Sequence, residues 1–86
     1  MTLSWHPDAW EEYTEWQKVD KNIVKKINEL VKECLRTPFE GKGKPEMLRA
    51  NLSGYWSRRI TDEHRLVYRV IDETVFIMRC KSHYDN

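Results

Sequence analysis

Glu46, Arg59, Arg65, His83 and Tyr84 are the side chains of this chain whose types could together perform chemistry. The reaction they suit is cleavage of RNA without a metal. There the ribose 2′-hydroxyl attacks the neighbouring phosphorus and the 5′-oxygen leaves. A base must accept one proton, an acid must supply another, and cations must stabilise the charge that builds up between. Glu46 is the candidate base, being the one carboxylate among Lys42, Lys44 and Arg49. His83 is the candidate acid, because imidazole titrates near neutral pH. Arg59 and Arg65 can grip phosphate oxygens with two prongs, which lysine cannot do. Tyr84 offers a ring on which a base can stack. Each of these residues also has a plainer reading. A lone carboxylate in a basic loop commonly serves as a salt-bridge partner, and arginines on an exposed sheet face are commonly just solvated. His6 and His64 read as polar surface residues, and the scattered histidines show no zinc-type spacing, so no metal is expected.

The elements that must position these groups follow from pattern. Thr2 to Trp5 reads as a short strand. His6-Pro7-Asp8 opens a helix, with Pro7 in the tolerated first turn and Asp8, Glu11 and Glu12 near its positive end. Trp10, Tyr13 and Trp16 recur at helical spacing and are expected to form its buried stripe. Asp20 is a suitable N-cap for a second helix carrying Ile23, Ile27, Leu30, Val31 and Cys34 on one face, and Thr37-Pro38 ends it. A Gly/Pro-punctuated basic loop, residues 39–45, follows. Its glycine spacing is wrong for a phosphate-binding P-loop. After the short run Glu46 to Arg49 and the turn Asn51 to Gly54 come three strands at hairpin spacing: Tyr55 to Ile60, Arg65 to Ile71 and Thr74 to Lys81. The predicted class is α+β, an N-terminal strand and a helical hairpin packed on one face of a mostly antiparallel sheet.

Register is expected to place Arg59 opposite Arg65. One face then collects Trp56, Ile60, Leu66, Tyr68 and Val70, with Arg58 as a misfit, and the other collects Tyr55, Ser57, Arg59, Arg65 and Arg69 around Val67. On the last strand Phe76, Met78 and Cys80 share the parity assigned to the core, while Arg79, Lys81 and His83 share the other. The sheet should therefore show water a face rich in arginine.

A chain of 86 residues provides for one small domain, residues 1–86, whose core gains its bulk from four Trp, four Tyr and two Phe. The start lacks the basic and apolar stretches of a signal peptide, and no run approaches the ~18 apolar residues of a membrane helix. A cytoplasmic protein with no membrane association is expected. Cys34 and Cys80 read as buried small hydrophobes. Residues 1–40 hold six Lys/Arg against eight Asp/Glu, and residues 41–86 hold nine against six. The basic half is also the half with the polar motifs, which suits an anionic partner.

Several long blocks resemble the YoeB family of the RelE/ParE toxin superfamily in order and spacing. They include Trp5, Asp20-Lys21, residues 23–30, residues 37–46, residues 51–54, residues 56–61, residues 63–68 and the ending His83-Tyr84. The resemblance spans nearly the whole chain. It implies a RelE-like fold that enters the ribosomal A site and cuts the bound messenger, as the toxin of a type II toxin–antitoxin pair and without a cofactor. It implies Glu46 as general base, His83 as general acid, Arg65 as the transition-state arginine, and Arg59 and Tyr84 as substrate holders, with Lys44 and Arg49 as further substrate-binding cations. Arg49 stands where relatives can carry Lys, a planar fork in place of a point charge. Asp85 and Asn86 extend the chain past the Tyr at which relatives commonly finish. Partners implied are a YefM-type antitoxin with a segment that wraps the toxin, the ribosome and its mRNA, DNA only through the antitoxin, and a second copy in a homodimer. Residues alone leave two alternatives open on the same fold: a non-enzymatic ParE-like poison and an inactive antitoxin-binding module.

Overall fold

The chain begins on strand β1 (Thr2–Trp5), which leads through His6 into helix α1 (Pro7–Val19). The computed structural model describes residues 1–82. His6 is the N-cap of α1, its Nδ1 accepting from the Asp8 N–H, and Pro7 fills the first turn, where no N–H is required. Asp20 caps helix α2 (Lys21–Arg36) by accepting from the N–H groups of Asn22 and Ile23. With Asp20 as the only linking residue, the two helices must fold back as a hairpin. The apolar positions of α2 lie along one face, with Ile27, Leu30, Val31 and Cys34 buried.

Beyond the loop, β2 (Glu46–Met47), a 3-10 turn (Ala50–Leu52), β3 (Trp56–Arg59), β4 (Arg65–Ile71) and β5 (Thr74–Arg79) complete a five-stranded sheet of order β1-β5-β4-β3-β2. The β2-β3-β4-β5 meander is antiparallel, and β1 joins β5 in parallel. This is the expected α+β architecture. The run at Glu46 turns out to be a two-residue edge strand. The predicted register also stands, with Arg59 opposite Arg65 and Trp56 opposite Tyr68.

The core lies between the helices and one sheet face. It joins Ala9, Trp16, Ile27, Leu30 and Cys34 to Ile60, Leu66, Tyr68, Val75, Ile77 and Cys80. Two expectations fail here. Phe76 and Met78 are not core residues; Val75 and Ile77 are, both fully buried. The cause is a β-bulge. Val67 pairs with Arg79 and Tyr68 with Ile77, so Met78 has no partner on β4 and side-chain parity changes there. Cys80, beyond the bulge, returns to the core as expected, and Arg79 turns to α1 instead of joining the outer face. Trp10 is the second failure, being 51% exposed. At 100° per residue Trp10 and Trp16 are about 120° apart around the helix, whereas Ala9 and Trp16, seven residues apart, coincide. The core stripe of α1 is therefore Ala9 and Trp16, with Glu12 between them.

Candidate active site

Glu46 lies opposite Ser57 on β3, and Ser57 shares its side of that strand with Arg59. Since Arg59 faces Arg65 across the next pair, the register puts Glu46, Arg59 and Arg65 on the outer face of β2-β3-β4, away from the helices. The backbones of β2 and β4 are roughly 10 Å apart, two strand spacings, which is room for a phosphodiester between their side chains. Arg59 is exposed, and its Nη1 comes 3.9 Å from Asp62 Oδ1, a loose pair that solvent screens. Arg65 is half-buried and held at one end only: Nη1 donates to the carbonyls of Thr61 (2.7 Å), Asp62 (3.1 Å) and His64 (3.2 Å). Its other nitrogens make no hydrogen bond among the described residues. Lys44 and Arg49 are exposed on either side of β2. Arg49 starts the 3-10 turn, its carbonyl accepting from the Leu52 N–H. His83 and Tyr84 lie outside the described residues, as do Asp85 and Asn86.

The expected misfit, Arg58, organises this region. It is fully buried, and its guanidinium forms no ion pair among the described residues. Instead Nε donates to Tyr68 Oη at 3.0 Å, Nη1 to the Lys42 carbonyl at 2.9 Å, and Nη2 to the carbonyls of Thr37 and of Glu40, the latter at 2.9 Å. Tyr68 in turn donates its hydroxyl proton to the Pro38 carbonyl at 2.7 Å. Burial pushes the Tyr68 hydroxyl well above its ordinary range, so it keeps the proton it donates. A basic loop without regular structure would otherwise bury several carbonyls unpaired, each at a cost of about 1–3 kcal/mol.

Glu33 fastens the loop from the helix side. Its carboxylate accepts from Arg36 Nη2 at 2.8 Å and from the Lys42 N–H at 3.3 Å. The Arg36 hydrogen bond, followed by that of the Lys42 amide, holds its carboxyl below the ordinary value. Two glycines are required. A Cβ on Gly41 would come 2.3 Å from Glu33 Oε2, and one on Gly43 would come 2.8 Å from Leu30 and 3.0 Å from Arg58, both at positive φ. The Gly43 carbonyl accepts from the Arg59 N–H at 2.7 Å, tying loop to strand. Lys44 and Glu46 thus leave a loop that is braced on every side.

A second brace holds the approach to the C-terminus. Glu12 Oε2 accepts from Arg79 Nη2 at 2.6 Å and Oε1 from the Cys80 N–H at 2.8 Å. Trp16 Nε1 donates to the Cys80 carbonyl at 2.9 Å. His64, expected at the surface, has a side chain only 13% exposed. Its ring stands edge-on to Trp16, and its Nδ1 accepts from the Ser82 N–H at 2.8 Å, while the Arg65 N–H donates to the Ser82 carbonyl at 2.9 Å. Ser82 immediately precedes His83, so this brace sets where the terminal segment starts relative to Arg65. Sequence reasoning missed Arg58, Glu33, His64 and Glu12. Only Arg58 carried a signal, a charge at a core position, which implies a buried polar network.

Both cysteines are buried, and burial pushes their thiols up, Cys34 to about 11 and Cys80 to about 12, as befits packing residues. Among the described residues no three of His, Cys, Asp and Glu gather to hold a metal ion, and no helix is long and apolar enough to cross a membrane.

The sheet, the helical hairpin and the cationic outer face define a RelE-like toxin fold. A solved YoeB/ParE toxin from Agrobacterium tumefaciens superposes with a TM-score of 0.94 at 48% identity, covering 98% of this chain and 100% of that one. A YoeB–YefM complex from Staphylococcus aureus contains a chain that matches with a TM-score of 0.89 at 50% identity, covering 98% of each chain. Toxin YoeB of Escherichia coli strain K12 is 62% identical over 84 residues, 98% of this chain and 100% of that protein. The profile of one family, described as the YoeB-like toxin of bacterial type II toxin–antitoxin systems, matches residues 5–84. The chain belongs to that family of toxins.

Proposed function

We propose that this toxin is a ribosome-dependent endoribonuclease that cuts messenger RNA in the ribosomal A site and so stops translation. The observation that carries this reading is the gathering of Glu46, Arg59 and Arg65 on one open sheet face, between a braced basic loop and Ser82, which His64 and Arg65 hold. Glu46 accepts the proton of the 2′-hydroxyl, whose oxygen then bonds to phosphorus. Arg65, with Arg59, carries the charge that develops on the equatorial oxygens, and His83 gives its proton to the departing 5′-oxygen. The products are a 2′,3′-cyclic phosphate and a 5′-hydroxyl, so protons and charge balance with no metal in the scheme. Tyr84, Lys44 and Arg49 hold the strand. An open face with few aromatic groups is poorly equipped to order single-stranded RNA unaided, so positioning by the ribosome supplies the missing alignment.

As in the Staphylococcus aureus complex, a YefM-type antitoxin is the partner that keeps the toxin silent in the cytoplasm. A YoeB dimer has also been solved from that organism, and a homodimer of this chain fits the same reading. Arg65→Ala and His83→Ala should each abolish messenger cleavage, at least about 100-fold, with the circular dichroism spectrum unchanged. A variant that cleaves at the wild-type rate would remove that residue from the scheme.

A further inference from the structure

Arg69, Phe76 and Ser4 form a row across β4, β5 and β1 on the outer face, Arg69 pairing with Phe76 and Phe76 with Ser4. Tyr55 continues the row on the other side, just ahead of the Trp56–Tyr68 pair. Arg65 shares this face of β4, four residues and roughly 13 Å along the strand from Arg69. Beside the row Phe76 and Met78 line a groove with Trp5 and the exposed Ile71, and Arg69 borders it. Its volume of 360 Å³ falls within the roughly 300–1,000 Å³ of small-molecule sites.

Arg69 is held on one side and open on the other. Its guanidinium stacks 4.9 Å from the centre of the Tyr55 ring, and Nη1 donates to Tyr55 Oη at 3.2 Å. The opposite edge, Nε and Nη2, makes no hydrogen bond among the described residues, and Nε is buried without an acceptor. A buried N–H left unpaired is costly, so an occupant that brings acceptors is favoured. No carboxylate lines the groove to supply them from within. Two N–H groups side by side on a planar cation match two acceptors side by side.

The occupant must therefore join a flat apolar face, for Phe76 and Met78, to a pair of acceptors, for Arg69. A phosphate satisfies the fork and leaves the apolar wall uncovered. A second copy seated through a two-fold contact would oppose Arg69 to Arg69. Guanine meets both demands, because O6 and N7 are adjacent acceptors on a stackable ring, whereas adenine puts a donor beside N7. Resting on the nuclease reading above, we infer that this groove is a second messenger subsite. It takes a guanine outside the scissile pair, with the base against Phe76 and its O6 and N7 on the Nε–Nη2 edge of Arg69. Arg69 is then a specificity residue, remote from the reacting atoms but on the strand that carries Arg65.

The test measures kcat/KM for cleavage of messengers on ribosomes with an empty A site. Each messenger carries one guanine, moved nucleotide by nucleotide along both sides of the cut. Wild type should show one position outside the scissile pair at which guanine is cleaved about 10-fold better than adenine. At that position 7-deazaguanine, which lacks the N7 acceptor, should lose the advantage. Arg69→Met and Arg69→Lys should lose it with ordinary guanine, and Phe76→Leu should reduce it. The preference is a ratio within each variant, so a smaller folded fraction cancels. No preferred position in wild type, or a preference that Arg69→Met retains, would overturn the subsite and leave the nuclease reading standing. Sensitivity to an uncharged methylphosphonate in place of 7-deazaguanine would give Arg69 to a phosphate and overturn the base assignment. Equal slowing of Arg69→Met on every messenger would assign the groove to ribosome contact, which also overturns it. Wild-type protein that cleaves no messenger on ribosomes would overturn the nuclease reading and this inference with it.

Discussion

The two edges of the sheet are built on opposite principles. At the β2 edge a loop without regular structure is held by a polar network: Arg58 and Tyr68 from the sheet, Glu33 from α2 and the Arg59 amide together bind the carbonyls or amides of residues 37–43. At the β1 edge the strand is held by its ladder to β5, and aromatic surface around Trp5 and Trp10 is left exposed. The contrast follows from what each edge presents. The proposed cleavage requires cations in fixed positions, and fixing a loop takes directional bonds with no orphaned groups. Aromatic packing such as that at the β1 edge needs only area and shape.

Substitutions should separate the two edges by size of effect. Arg58→Met, which removes donors from several buried carbonyls, should lower the free energy of unfolding by about 3 kcal/mol or more. Urea titration would show it, and wild-type stability would mean that the network is ornamental to the fold. Trp10→Ala, which removes a half-exposed ring with two aromatic neighbours, should cost only about 1–2 kcal/mol in the same titration. A larger loss there than at Arg58 would invert the comparison.

The smallest effect is a pH dependence at the β2 edge. The Glu33 carboxyl is held below its ordinary value of 4.5 by Arg36 and the Lys42 amide. A carboxyl with a depressed folded value stabilises the protein above its unfolded value, and that stability disappears as pH falls through the folded one. The stability advantage of wild type over Glu33→Gln, measured by thermal melts, should therefore be full at pH 7 and shrink below pH 4.5. A gap that widens on acidification would contradict the assigned partners.

Much of this was readable in the sequence, and the rest was hidden for identifiable reasons. Pro7 and Asp20 mark helix starts because capping chemistry is local, and the Arg59–Arg65 register follows from strand alternation and turn length. Glu46 and Arg65 could be set on a common face for the same reason. A bulge escapes alternation because it adds one residue without changing composition, so alternation alone puts Phe76 and Met78 on the wrong face. Arg58 and His64 act through backbone groups distant in sequence, Glu40 and Lys42 for one and Ser82 for the other, and backbone acceptors and donors leave no residue signature. Aromatic spacing alone misplaces Trp10, because the helical angle carries it away from Trp16.

The central claim is that the outer face becomes a nuclease when the ribosome aligns the messenger on it. The direct test is cleavage of a defined messenger by the purified full-length chain, with and without programmed ribosomes whose A site is empty. Cuts within the A-site codon, only when ribosomes are present, are the predicted result. Equal cleavage of free RNA, or none in either condition from folded protein, would contradict it.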